Sequence, residues 1–153
     1  MKAKWLILVL ALFSSSLLAQ QRVTEQQVIS YAKAIDVAKL DPKLSSQRLD
    51  KWLQSGPAHL DRVTWEKSDC DVMPGPPSSN YVAPLCAKVR FFRGDCWGWA
   101  IITIGTFREG ITGAPHLENI FATVGRNFNS PPESKRLSDL PQLLDKASPM
   151  KPH

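Results

Sequence analysis

"CAKVRFFRGDCWGWAIITIG", Cys86 to Gly105, sets two cysteines and two tryptophans around an Arg93-Gly94-Asp95 turn. Its flanks are rich in β-branched and aromatic residues, and glycine beside a polar neighbour is what a tight hairpin needs. The stretch predicts two antiparallel strands folded back at Gly94. Turn length then decides which side chains share a face, because a slip of one residue exchanges the two faces of a strand.

Two registers follow. A two- or four-residue turn pairs Phe91 with Cys96 and Cys86 with Ile101. A three-residue turn pairs Phe92 with Cys96 and Cys86 with Ile102. In the even register Trp97 and Trp99 lie across from Arg90 and Lys88, opposite the face of Leu85, Ala87, Val89 and Phe91. Cations would then stand against indole rings, which makes Lys88, Arg90, Trp97 and Trp99 the candidate binding residues. In the odd register both indoles join the apolar layer and serve as core or line a cavity. The odd register sorts the residues more consistently, and strand aromatics usually pack, so the indoles are expected inside.

Either register places Cys86 and Cys96 five or six rows apart, on the order of 17–20 Å at about 3.4 Å per residue. A disulfide requires Cα atoms within about 7 Å. The third cysteine, Cys70, is therefore the expected partner. Cys70–Cys86 is favoured, closing the proline-rich loop "DVMPGPPSSN" at its base; Cys70–Cys96 is the alternative. None of the spacings is C-x-x-C, so redox and zinc sites of that kind are not indicated.

Outward from the hairpin, "DRVTWEKS" alternates, with Val63 and Trp65 on one side and Thr64 and Glu66 on the other. "LENIFATVGRNF" reads as the last of about four strands. Upstream, "TEQQVISYAKAIDVAK" recurs at helical spacing through Val28, Tyr31, Ala32, Ile35 and Ala38. Thr24 and Gln27 have capping-box spacing. "SSQRLDKWLQSG" predicts a second, shorter helix, capped at Ser45, with Leu49, Trp52 and Leu53 on one face and Gly56 at its end. Near the C-terminus "SDLPQLLDK" predicts a short helix that docks Leu140, Leu143 and Leu144.

Helices followed by antiparallel strands indicate an α+β fold: two N-terminal helices packed on a curved, mostly antiparallel sheet. That order is similar in arrangement to cystatin-like and NTF2-like folds, a helix wrapped by a curved meander. The similarity is one of arrangement, and no functional residues follow from it.

The chain begins "MKAKWLILVLALFSSSLLAQQ": two lysines, an apolar run, serines, then a small residue at Ala19. This is the layout of a secretory signal peptide over 1–19. The apolar run is shorter than the about 18–20 residues of a spanning helix. Removing 19 of the 153 residues leaves 134, and the formal charge falls from +5 to +3. One domain over 20–128 with a proline-rich C-terminal segment over 129–153 fits that length. The mild, dispersed positive charge does not indicate a nucleic-acid groove.

Catalytic signatures are lacking. There is no G-x-S-x-G, no phosphate-binding glycine loop and no H-E-x-x-H. His59 and His116 each stand two residues from a carboxylate, but a metal site needs a third ligand. Arg93-Gly94-Asp95 spells the integrin-recognition tripeptide, and its simpler reading is a turn. The expected function is therefore a non-catalytic, exported module, periplasmic or extracellular, that binds a protein, a peptide or a glycan surface without cofactor, metal, nucleic acid or stable membrane span. Its contact elements would be the Asp71–Asn80 loop and the Lys88, Arg90, Trp97, Trp99 face. The alternative is a small enzyme with a cavity between first helix and sheet, using Asp61, Glu66, His116 or Glu118. A third reading, a structural component of an envelope assembly, needs a larger apolar patch than the sequence offers.

Overall fold

The computed structural model describes residues 23–70, 85–105, 111, 114–125 and 132–148. The expected leader 1–19 and the expected Asp71–Asn80 loop lie outside the described residues. The fold is α+β. Among the described residues five antiparallel strands run in sheet order β1 to β5 with no crossover: β1 Arg62–Asp69, β2 Leu85–Arg93, β3 Cys96–Ile104, β4 His116–Val124 and the two-residue β5 Glu133–Ser134. The fifth strand was not expected, because two residues carry no alternation to read.

The helices are α1 Glu25–Ala34, α2 Val37–Leu40, α3 Leu49–Ser55 and α4 Leu140–Ala147. Thr24 accepts from the Gln27 N–H at 3.2 Å and the Gln27 side chain accepts from the Thr24 N–H at 2.8 Å, closing the expected capping box. The first helix does not run on to Lys39. Ile35 turns extended, and Asp36 starts α2 by accepting from the Ala38 N–H at 3.0 Å. The Asp36 carboxylate also holds the Ser46 hydroxyl and the Gln47 N–H. Those bonds keep its carboxyl below the usual carboxylate range, that from Ser46 most of all. Ser45 does not cap the next helix; α3 starts after Arg48, which makes no side-chain cap.

The β2–β3 turn corrects both expected registers. Arg93 pairs with Cys96 and Cys86 with Thr103, leaving Gly94-Asp95 as a two-residue loop. Gly94 has φ +54°, at the first central position where a type II′ turn needs positive φ. Its N–H donates to Asp61 Oδ2 at 2.6 Å. This register has the parity of the even alternative. Ala87, Val89, Phe91, Ala100 and Ile102 share the inner face and are buried. Trp97 and Trp99 are not core: they stand on the other face and are half-buried.

The inner face packs under the helices. Val28, Ala32, Leu49, Trp52 and Leu53 join Val89, Phe91, Ile102 and Ile120 in one apolar cluster, with Leu137, Leu140, Leu143 and Leu144 from the C-terminal segment. Each such large side chain contributes roughly 1.5–3 kcal/mol by leaving water. Phe91 fits because its cross-strand partner is Gly98. A Cβ on Gly98 would lie 2.5 Å from the Phe91 ring and 2.0 Å from the Phe121 carbonyl oxygen.

The docking of α4 is fixed by polar contacts. Asp41, 2 % exposed at the end of α2, accepts from the Lys43 N–H at 3.0 Å and from the Ser138 N–H at 2.8 Å. Burial pushes its carboxyl up, but the hydrogen bonds from Ser138 and Lys43 outweigh it and hold the carboxyl below its ordinary value. Arg93 reaches Asp145 of α4 at 2.7 Å and the Ala58 carbonyl at 3.5 Å.

Candidate functional site: the outer face of the sheet

Strand alternation lays out the outer face as four rows. Arg62, Phe92, Trp97 and Thr123 form the first; Thr64, Arg90, Trp99, Phe121 and the exposed Glu133 of β5 the second. Glu66, Lys88, Ile101 and Asn119 form the third; Ser68, Cys86, Thr103 and His116 the last. Among the described residues the apolar stripes of the helices pack on the inner face, not here.

All four candidate binding residues stand on this face. Lys88 Nζ lies 5.1 Å from the centre of the Trp99 ring. Trp99 and Phe121 have ring centroids 4.2 Å apart at an interplanar angle of 43°, tilted rather than stacked flat. The guanidinium of Arg62 lies 4.0 Å over Phe92. Trp97 donates its indole N–H to the Gly125 carbonyl oxygen, which fixes that ring at the turn after β4. Glu66 pairs with Arg90 at 3.1 Å and with Lys88 at 3.8 Å. The Arg90 and Glu66 side chains are 51 % and 41 % exposed, so this pairing adds little stability; its effect is to hold the two cations in place.

Sequence reasoning named Lys88, Arg90, Trp97 and Trp99 and missed Phe92, Phe121 and the bridging role of Glu66. The signal for Phe121 was present in "LENIFATV": Ile120 and Ala122 alternate with Asn119 and Phe121. Taking Ile120 and Ala122 as inward puts Phe121 outward.

The last row is polar. Thr103 donates to Glu118 Oε2 at 3.1 Å, and His116 Nε2 stands 3.3 Å from the same oxygen. The carboxylate sits between hydroxyl and imidazole, so the imidazole is not placed to take the hydroxyl proton, as nucleophile activation requires. Asp61 is engaged at the Gly94 turn. Asp61, Glu66 and the His116–Glu118 pair therefore act in three separate local contacts. Among the described residues no three His, Cys, Asp or Glu side chains converge on a metal-sized site.

Cys86 is bonded to Cys70, with Cα atoms 5.2 Å apart, just beyond the Asp69–Leu85 pair. Seven rows separate Cys86 from the row of Cys96. Cys96 is a buried free thiol whose pKa burial pushes up. The Arg93-Gly94-Asp95 string serves the fold, since Arg93 is committed to Asp145 and Ala58.

No helix among the described residues is long and apolar enough to cross a membrane. The chain matches no protein-family model, no curated protein and no solved structure.

Proposed function

We infer that this is an exported binding module whose contact surface is the outer sheet face around Trp99. The observation that carries this reading is the grouping of Lys88, Arg90, Trp99 and Phe121 on a face opposite the helix-packed one. Half-buried aromatic rings beside cations recur where proteins meet partners, because ring and cation both gain from a ligand that excludes water. The Cys70–Cys86 disulfide is compatible with export, since such bonds persist in oxidising compartments. The layering of α1 on a sheet without crossover supports the cystatin-like or NTF2-like arrangement as a description.

The enzyme alternative has less support. The space between α1 and the sheet holds apolar side chains. Among the described residues the buried charged group is Asp41, and it serves the α4 junction.

The test is retention of the protein, from residue 20 onward, on random-peptide arrays and on immobilised neutral and charged polysaccharides. Retention on one or more supports, lost in Trp99→Ala/Arg90→Ala with the thermal midpoint kept, is the expected result. Retention that survives the double variant, or none at all, moves the function away from this face.

A further inference from the structure

We propose that the edge of β1 facing away from β2 pairs with the same edge of a second copy of this chain, antiparallel and centred on Thr64, joining two sheets into one. This goes beyond the outer-face reading and leaves that face open.

β1 ends the sheet. It pairs with β2 on one side, and among the described residues nothing pairs with its other side. Asp61 continues the strand by donating its N–H to the Phe92 carbonyl oxygen at 2.8 Å. Along such an edge, alternate N–H and C=O groups project away from the sheet and are satisfied by water or by another strand. The opposite end of the sheet is covered: β4 carries β5 and packs against α4.

The edge is complementary to itself. Two identical strands meet antiparallel about a two-fold axis normal to the sheet, so side chains of one face meet their own face. With the axis at Thr64, Thr64 meets Thr64, Val63 meets Trp65, Arg62 meets Glu66 and Asp61 meets Lys67, the unlike pairs recurring by symmetry. Axes at Val63, Trp65 or Glu66 bring no opposite charges together. At Trp65, Asp61 would meet Asp69, and at Glu66 the carboxylate would meet itself. Lys67 stands on the helix-packed face with Val63 and Trp65, where a lysine blunts an edge against most strands. Asp61 of the second copy answers it, so the charge that rejects other strands admits this one.

The side chains are available for this contact. Thr64 and Lys67 are exposed. Lys88 and Arg90 both take Oε1 of Glu66, and Oε2 makes no contact among the described residues. Asp61 holds the Gly94 N–H through Oδ2. Arg62 is exposed, and among the described residues its side chain has only the Phe92 ring to leave. Val63 and Trp65 are half-buried at the rim of the core. Facing each other beside the axis, they carry the apolar layer from one copy into the next as a favourable aromatic–β-branched pair. The two Trp99 faces then lie on one side of the joined sheet, about 24 Å apart at about 4.8 Å per strand.

The test is sedimentation equilibrium of the disulfide-intact protein, from residue 20 onward, joined to oxidative cross-linking of Thr64→Cys. A concentration-dependent dimer is expected by about 1 mM, because an edge pairing is smaller than a standard interface and associates weakly. Thr64→Cys should form an intermolecular disulfide, since directly opposed residues have Cα atoms about 4.5–5.5 Å apart. Lys135→Cys, exposed beside β5, should not. Arg62→Glu and Glu66→Arg should each weaken self-association about tenfold. A mixture of the two should associate, because every facing pair then joins opposite charges. A monomer throughout overturns the proposal. So does a dimer that links Lys135→Cys as readily as Thr64→Cys, or whose charge variants fail to complement, since it then uses another surface.

Discussion

Phe91 and Gly98 are cross-strand partners, and the phenyl ring occupies the space that a side chain on Gly98 would need. This pair shows why the hairpin has one register. Moving β3 by one residue would set Trp97 or Trp99 where Gly98 stands, against a ring already at full density.

Gly98→Ala is therefore expected to destabilise the protein by about 1–3 kcal/mol or more, the range for an overpacked core. Shortening the ring with Phe91→Leu should not rescue it fully, because the Phe121 carbonyl oxygen remains in the way. Urea unfolding of the single and double variants measures both.

The two faces of β2 and β3 should respond differently to truncation. Phe91→Ala removes a fully buried ring and should cost about 3–5 kcal/mol. Trp99→Ala, on the half-buried face, should cost markedly less. Equal losses would place Trp99 in the core and remove the basis for a contact surface.

Peptide mapping without reduction should show a Cys70–Cys86 link and an unmodified Cys96 thiol that reacts only after unfolding. The double variant Cys70→Ser/Cys86→Ser should lose roughly 3 kcal/mol, as the chain-entropy model gives for a loop of about 15 residues. A Cys70–Cys96 link would contradict the register.

Acid should loosen the C-terminal helix. The Asp41 carboxyl titrates below its ordinary value of 3.8 when folded, so its ionised form favours the folded state. That contribution is complete above 3.8 and disappears as the pH falls through the lower, folded value. Asp41→Asn leaves one of the two N–H donors poorly matched and should cost about 1–3 kcal/mol at neutral pH. Thermal midpoints of the two proteins should converge as the pH falls below 3.8. A gap that stays constant into acid would mean that charge at Asp41 is not involved.

Much of this was readable in advance, and the failures have physical causes. The capping box, the α3 face of Leu49, Trp52 and Leu53, the inward leucines of α4 and the Cys70–Cys86 pairing each follow from local chemistry or chain reach. The tryptophans were expected inside because apolar character alone sorts them with Ala87, Val89 and Phe91. What sorts them outward is the length of one turn, set by Gly94 and by the Asp61 side chain arriving from before β1. That contact spans 33 residues and leaves no periodic trace. The break at Asp36 was hidden for a related reason: Ile35 and Val37 are both buried, so the apolar spacing runs on while the backbone does not.

Along β2 the odd positions from Ala87 to Phe91 maintain the protein and the even positions from Lys88 to Phe92 meet its surroundings. Because the two duties do not mix between Ala87 and Phe92, a substitution at Lys88 or Arg90 changes what the sheet exposes and leaves the packed layer alone. A scaffold so divided can change its exposed face one residue at a time.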